Sequence, residues 1–495
     1  MRLKEILKGI DIGFSFRDVE VIGVTDHSKQ CKLGFLFVAI QGNSYDGNYF
    51  IEEAIERGAR VIIYNHSFPL KENLQRRKGV IFIGVKDTRH ILAKLAANFY
   101  KHPSTKLKVI GVTGTNGKTT TTYLIESILK TAGFKTGLIG TINYRFGERV
   151  IPALNTTPGA VQLQELLFSM QREMIDYTVM EVSSHSLEQG RVDEIDFHAG
   201  IFTNLGMDHL DYHKTLENYF NAKAKLFTKL NSSSWAVVNI DDQWGKEMLI
   251  RTSAKTVTYG INKPADVEAR RIHLHCEGSQ FLVNTPYGEI EIVTPLLGIH
   301  NIYNILASIS LGIAEKIPLE IIKSGIENIS CVRGRLEPVD AGQPFKVFVD
   351  YAHTDSALKN VISSLKVLFR GRIIVVFGCG GDRCREKRPL MGKIASELAD
   401  YVILTTDNPR SEEPEAIIRT IEKGFLRGFD RYQVILDRYA AIKEALSMAG
   451  EDDVVLIAGK GHEPYQIFKN VTVPFDDRIV VREILLENNF SKCRK

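Results

Sequence analysis

Two patterns alternate along the chain. Short apolar runs bounded by Gly, Pro, Asn or Asp predict strands, and apolar residues recurring every three or four positions predict amphipathic helices. Near the N-terminus, Val21–Val24, Phe35–Ile40 and Ala59–Tyr64 read as strands, and Ala54–Gly58 and Arg89–Tyr100 read as helices. The polar stretches Asp26-His27-Ser28-Lys29 and Gly42–Gly47 have turn chemistry. His102-Pro103-Ser104 reads as a linker.

Further on, Leu107–Ile110, Tyr177–Val182, Ala199–Phe202, Trp235–Asn239 and Thr256–Tyr259 read as strands. Tyr177–Val182 is almost wholly apolar, as a buried parallel strand requires. A β-rich excursion follows over about 265–295, then a helix rich in Ala, Leu and Ile opens near Leu297, and Ile326–Arg335 reads as a second linker. The remainder alternates. Strands at Lys346–Val349, Arg372–Phe377, Tyr401–Thr405, Gln433–Leu436 and Asp453–Ala458 are separated by helices at Ser356–Phe369, Pro389–Ala399, Pro414–Leu426 and Ala440–Met448. Such a βαβ series predicts a parallel sheet. The expected class is α/β in three domains: a small mixed α/β domain over 1–101, a central P-loop ATPase-like domain over 102–332, and a Rossmann-like domain over 333–495.

The chemistry concentrates at Gly111–Thr120 (Gly-Val-Thr-Gly-Thr-Asn-Gly-Lys-Thr-Thr), set between a strand and a helix whose apolar face is Leu124, Ile125, Ile128 and Leu129. Glycines let backbone N–H groups converge on phosphate oxygens, and the helix N-terminus adds partial positive charge. The common phosphate-loop pattern has a first glycine where this chain has Val112. The stretch is read as an ATP site, with Lys118 reaching the β/γ-phosphates and the Thr119 hydroxyl on Mg²⁺.

Glu181 ends a buried strand, where a carboxylate suits a Mg²⁺ ligand or water-orienting role. Asp208-His209-Leu210-Asp211-Tyr212-His213 is dense in groups able to cap a helix or bind metal. Lys223 falls on the apolar face of the helix Leu216–Leu230, beside Tyr219, Phe220, Leu226 and Phe227, whereas Lys225 faces away. Such a lysine must snorkel, pair or lose its charge; snorkelling is the ordinary expectation, and a neutral or chemically altered lysine near the nucleotide is the functional one. In the last third, the strand ends bring up Asp350–His353, Gly378–Arg383, Asp407–Arg410 and Gly459–Glu463, which are expected to share one site.

Composition narrows the field. The chain has 495 residues, 44% hydrophobic and 25% charged, with a net charge of +4. That is a globular composition with too little positive charge for broad nucleic-acid binding. The six cysteines have no Cys-x-x-Cys spacing and imply neither a zinc knuckle nor a disulfide framework. No signal-peptide core opens the sequence, and no apolar run has membrane-spanning length. A GTPase reading would need an Asn-Lys-x-Asp signature; Asn262-Lys263-Pro264-Ala265-Asp266 is one residue too long and reads as a loop.

With these motifs in hand, the chain resembles the Mur ligase family of ATP-dependent amide-bond-forming enzymes. The resemblance rests on Thr113–Thr120, Glu181–His185, Thr203-Asn204 with Asp208-His209, Tyr219–Lys223, His300-Asn301 and Asp350–His353, with Leu36–Ala39 and Gly42 extending it to nearly the whole chain. Asn155–Pro158, Gly381–Arg383 and above all Asp407–Arg410 resemble the members that add meso-diaminopimelate to UDP-N-acetylmuramoyl-L-alanyl-D-glutamate. The forked guanidinium of an Arg suits the second carboxylate that distinguishes diaminopimelate from lysine.

The resemblance implies roles. ATP would be held by Gly114, Thr115, Asn116, Gly117, Lys118, Thr119, Thr120 and Asn301. Mg²⁺ would be held by Thr119, Glu181, His209 and a carbamate on Lys223, with Lys118, Lys223, His209 and Glu181 as the catalytic set. The UDP-sugar peptide would meet Asp26, Ser28, Asn43, Ser44, Tyr45, Asn155, Thr156, Thr157, Ser183, Gln189 and Arg191. Diaminopimelate would meet Arg383, Asp407, Asn408, Pro409, Arg410, Gly459 and Glu463. The expected partners are these small molecules alone, with no nucleic acid and no membrane insertion, and the chain is expected to work as a cytoplasmic monomer. A folylpolyglutamate synthetase, which shares the ATP chemistry, is the alternative within the superfamily.

Overall fold

The computed structural model describes residues 1–12, 16–42, 45–75 and 77–487. Asn43, Ser44 and Cys493 lie outside that set.

The first sheet is parallel throughout, in the order β1 (Gly23–Thr25), β2 (Phe35–Val38), β3 (Val61–Asn65), β4 (Ile81–Val85). The helix Thr88–Phe99 packs on it through Leu92, Ala93 and Leu95, which meet Leu36, Val38 and Ile63. β4 was not expected. Its run Ile81-Phe82-Ile83-Gly84-Val85 is apolar and carries no exposed residue, so a strand signal was present there.

The central sheet comprises β5 (Lys108–Thr113), β6 (Thr136–Ile139), β7 (Asn143–Phe146), β8 (Arg149–Pro152), β9 (Tyr177–Glu181), β10 (Phe197–Phe202), β11 (Trp235–Asn239), β12 (Lys255–Gly260), β13 (Val267–His275), β14 (Gly278–Thr285) and β15 (Gly288–Thr294). Their order is β15-β14-β13-β12-β11-β10-β5-β9-β6-β7-β8. β6, β9, β5, β10, β11, β12 and β13 run parallel, and an antiparallel hairpin or meander closes each flank. The excursion after residue 265 is that meander. Helices Lys118–Thr131 and Ile299–Ala314 cover one face, burying Leu124, Ile128, Ile305 and Ile309. Helices Ala160–Arg172 and Leu216–Thr228 cover the other, burying Leu163, Leu167, Phe220 and Phe227. Two buried faces explain the uninterrupted apolar strands.

The third sheet runs β16 (Glu337–Pro338), β17 (Lys346–Asp350), β21 (Val454–Ala458), β18 (Ile373–Phe377), β19 (Tyr401–Leu404), β20 (Tyr432–Val434), parallel except for β16. The hairpin β22 (Tyr465–Phe468) and β23 (Val471–Pro474) follows. Helix Pro414–Glu422 stops four residues before its predicted end, because Gly424 packs against the Pro389 carbonyl, where a Cβ would come within 1.8 Å of the oxygen. Ile326–Arg335 is not wholly a linker: its first two residues complete the helix Leu319–Glu327. Among the described residues, no helix is long and apolar enough to cross a membrane.

Candidate active site

Val112 belongs to β5, fully buried and paired with Ile201 and Glu181. The strand therefore runs on through Thr113, and the first glycine of the loop is needed only at 114. Gly114 has φ +155°, and a Cβ there would sit 1.8 Å from Thr203 Oγ1; Gly117 has φ +88°, and a Cβ there would meet Asn304 Oδ1 at 2.3 Å. Asn116 is clamped from β10's end: its N–H donates to Asn204 Oδ1 (2.9 Å), and its carbonyl accepts from Thr203 Oγ1 (2.7 Å) and Asn204 Nδ2 (3.1 Å). Thr115 Oγ1 accepts from the N–H of Gly206 and bonds the Tyr219 hydroxyl at 3.3 Å. Thr119 and Thr120 are buried in the first turn of the helix that Lys118 opens.

Lys118 and Lys223 converge on one atom. Each Nζ donates to the Gly114 carbonyl at 2.8 Å, and Lys118 also reaches the Thr115 carbonyl at 2.8 Å. Lys223 is 1% exposed and its Nζ lies 4.4 Å from the Tyr219 ring centroid, so it does not snorkel. Lys225 does face solvent, bonded to Glu188. Burial, then the charge of Lys118, pushes the Lys223 amine well below the usual lysine range. Burial also lowers Lys118, opposed by Glu181 and Asp208.

Glu181 is fully buried. Its carboxylate accepts from the Thr141 N–H (2.8 Å) and hydroxyl (2.9 Å), and Thr141 Oγ1 in turn lies 3.1 Å from Thr156 Oγ1. Thr157 donates to the Glu181 carbonyl and lies beside Ser183, while Arg191 reaches the Thr157 carbonyl and is held by Gln189 Oε1. Thr156, Thr157, Ser183, Gln189 and Arg191 are thus gathered around Glu181. His209, half-exposed at φ +54°, lies 3.4 Å from Asp208 Oδ2 and edge-on to His185. Among the described residues, no cluster of three or more His, Cys, Asp or Glu is spaced to hold a metal.

Asp26, Asn155, Gln189 and Arg191 line a cleft of about 240 Å³ between the first sheet and the central one. Ser28 lies outside that lining, its hydroxyl donated to Glu53 Oε2 at 2.6 Å. Tyr45 is 76% exposed and does not line it. Asn301 is buried with its amide bonded to the Leu297 carbonyl and to Asn304, and Asn304 is the side chain set against Gly117.

On the third sheet, Asp407 and Asn408 are buried past the end of β19. Asn408 is a hub. Its Nδ2 donates to Glu463 Oε2 (2.8 Å), and its Oδ1 accepts from the Ile467 N–H (3.0 Å) and Lys460 Nζ (3.3 Å). Lys460, wholly buried, also pairs with Glu463 at 3.2 Å. Gly459 has φ +110°, and a Cβ there would come within 2.7 Å of Asp407 Oδ2. Gly381 packs against the Pro409 carbonyl and donates to the Asn408 carbonyl, and Arg410 Nη1 donates to the Gly381 carbonyl at 2.9 Å. Buried Arg388 binds Glu412, whose carboxylate takes the Asp382 N–H, so the two loops are fixed together. Arg383 is exposed beside them, its Nη1 donating to the Asp382 carbonyl at 3.4 Å.

A hydrogen bond joins this part of the chain to the phosphate loop. Arg335 Nη2 donates to Thr119 Oγ1 at 2.9 Å while its guanidinium lies over the Tyr351 ring. His462, next to Glu463, packs on the same Tyr351 ring, and burial pushes its imidazole down to about 3. Asp350, at the end of β17, accepts from the Leu336 N–H and so holds Arg335's segment. Arg335, Asn304, Lys460 and His462 are absent from the sequence-derived site. Lys460 and His462 at least fall inside an expected cluster, whereas Arg335 was placed in a linker.

Known proteins now supply the comparison. Residues 112–312 match the Mur ligase middle domain, 334–461 the Mur ligase glutamate ligase domain, and 20–100 the Mur ligase family catalytic domain. A UDP-N-acetylmuramoyl-L-alanyl-D-glutamate–2,6-diaminopimelate ligase of Clostridium tetani is 47% identical over 98% of this chain and 100% of its own. The chain belongs to the Mur ligase family. A Caldanaerobacter subterraneus protein of the same name is 44% identical to this Mur ligase over 99% of the chain and 100% of its own. A solved structure, also of a UDP-N-acetylmuramoyl-L-alanyl-D-glutamate–2,6-diaminopimelate ligase, superposes with a TM-score of 0.68 at 31% identity, covering 99% of both chains.

Proposed function

We infer that the chain is an ATP-dependent ligase that joins meso-2,6-diaminopimelate to the γ-carboxylate of D-glutamate in UDP-N-acetylmuramoyl-L-alanyl-D-glutamate, a step of peptidoglycan precursor synthesis. In this reading residues 1–101 serve the sugar nucleotide, 102–332 ATP, and 333–495 the amino acid, and the enzyme works as a cytoplasmic monomer. The observation that carries it is the adjacency of two half-sites. Arg335 donates to Thr119 of the phosphate loop while its guanidinium lies over the Tyr351 ring, and His462, beside Glu463 of the Asn408–Glu463 crevice, packs on that same ring.

The γ-carboxylate attacks the ATP γ-phosphorus, giving an acyl phosphate and ADP. The amine of diaminopimelate then attacks the acyl carbon, and a tetrahedral intermediate collapses with loss of inorganic phosphate and a proton. The protein's share is alignment and charge placement. Lys118, now on loop carbonyls, turns to the β/γ-phosphates. Arg335 stands at Thr119, where it can follow the γ-phosphate. Ser183, Gln189 and Arg191 orient the muramoyl peptide, and Glu463 and Arg410 take the ammonium and carboxylate at the far end of diaminopimelate.

The donors suit Mg²⁺. Glu181 is a buried carboxylate whose bonds are all to Thr141, and a hydroxyl stands at Thr119. Mg²⁺ keeps several waters and binds through one or two carboxylates plus phosphates, so no all-protein cage is required. Thr119, Glu181, His209 and a carbamate on Lys223 would hold it, and it would neutralise charge on the transferred phosphoryl group. The lowered Lys223 amine favours that carbamate: an uncharged amine adds CO₂ and loses a proton to become an anion beside Lys118.

The test is incubation with ATP, the UDP-muramoyl dipeptide and either diaminopimelate or lysine, with the nucleotide product weighed by mass spectrometry. A product heavier by one diaminopimelate residue is expected. A lysine adduct formed in preference would overturn the assignment.

A further inference from the structure

The cleft between the first and central sheets contains a residue that no motif singled out. Arg89 lines it together with Arg191. Asp87 caps the helix Thr88–Phe99 by accepting from the N–H groups of Arg89 and His90, which fixes Arg89 in the first turn at the cleft's edge. The guanidinium donates through Nη2 to the Gln41 carbonyl at 2.6 Å. Arg191, across the cleft, donates to Gln189 Oε1 and the Thr157 carbonyl. All of these acceptors are neutral oxygens. The one carboxylate in the lining is Asp26, which feels the charge of Arg191.

Among the described residues neither guanidinium has a carboxylate within ion-pair distance, and Asp26 acts on Arg191 only from farther off. Burial, then the charge of Arg89, pushes Arg191 down, so the two guanidiniums repel. That arrangement is favourable once an anion with several oxygens sits between them, because each guanidinium presents a fork of donors to it. The cleft is large enough for part of a nucleotide sugar and is continuous with the Gln189–Arg191–Thr157 cluster. Resting on the function proposed above, we propose that Arg89 is a substrate-binding residue that closes with Arg191 on an oxyanion of the UDP-muramoyl dipeptide, the diphosphate or a peptide carboxylate.

Titration calorimetry on the full chain tests this with three probes: uridine, UDP and the UDP-muramoyl dipeptide. Arg89→Ala should weaken UDP and the dipeptide nucleotide by tenfold or more and leave uridine unaffected, with Arg89→Lys intermediate. Arg89→Gln keeps a neutral donor for the Gln41 carbonyl and removes the charge, so it should behave like Arg89→Ala and flatten the salt dependence of UDP binding. Weakening of the dipeptide nucleotide with UDP unchanged would support the clamp and assign it to the carboxylate. Unchanged affinity for both, or full rescue by Arg89→Gln, would overturn it. Failure of the wild-type chain to form the diaminopimelate adduct would instead sink the assigned reaction, while the UDP arm could still be read.

Discussion

Lys223 carries more information than any other single position. Its helical spacing placed it on the apolar stripe, and the structure buries it against the Gly114 carbonyl beside Lys118. Two ammonium groups on one carbonyl in a dry site are unfavourable, so burial and the charge of Lys118 lower the Lys223 amine's hold on its proton. We expect Lys223→Ala to lower kcat at least a hundredfold, with added bicarbonate giving no recovery, and ¹³CO₂ labelling of the wild type to give a carbamate carbon signal that the variant lacks. Full activity of the variant would remove the role. The sequence exposed this residue because helical periodicity is local. It hid Arg335, whose partner Thr119 is 216 residues away. It likewise offered Asn301 and passed over Asn304, because nothing in a His-Asn motif says which amide turns toward Gly117.

At the level of elements, the parallel sheets were legible because strands buried on both faces are apolar without interruption. The β22–β23 hairpin and the last helix were not, since each has a mostly exposed or polar face, whereas the apolar run of β4 offered a signal that went unread. That helix, Asp477–Glu487, is tied down by an ion pair rather than by apolar residues alone. Arg438 donates to both Asp477 oxygens at 2.7 and 2.8 Å and to the Ala458 carbonyl at 3.1 Å, with both side chains wholly buried. The pair fixes two helices to β21, whose end carries Gly459 and Lys460. Removing one partner leaves a buried charge, so Asp477→Ala should cost about 3–5 kcal/mol in chemical denaturation. A change below about 1 kcal/mol, the size of an exposed pair, would show that the pair does not anchor the helix.

Across the whole molecule, the proposed reaction requires three substrate sites, one proposed on each sheet, to meet. Contacts such as the Arg335–Thr119 hydrogen bond, with Arg335 and His462 both packed on Tyr351, tie the third sheet's loops to the phosphate loop. Such contacts between distant parts of the chain leave no periodic trace in sequence. They also make the arrangement suited to an activated carboxyl that is consumed before water reaches it. The most direct measurement is isotope transfer. With ¹⁸O in both oxygens of the D-glutamate γ-carboxylate, one labelled oxygen should leave in each inorganic phosphate and the other should remain in the new amide, with diaminopimelate, ATP and enzyme all present. Unlabelled phosphate, or label lost to water without amide formation, would contradict the account.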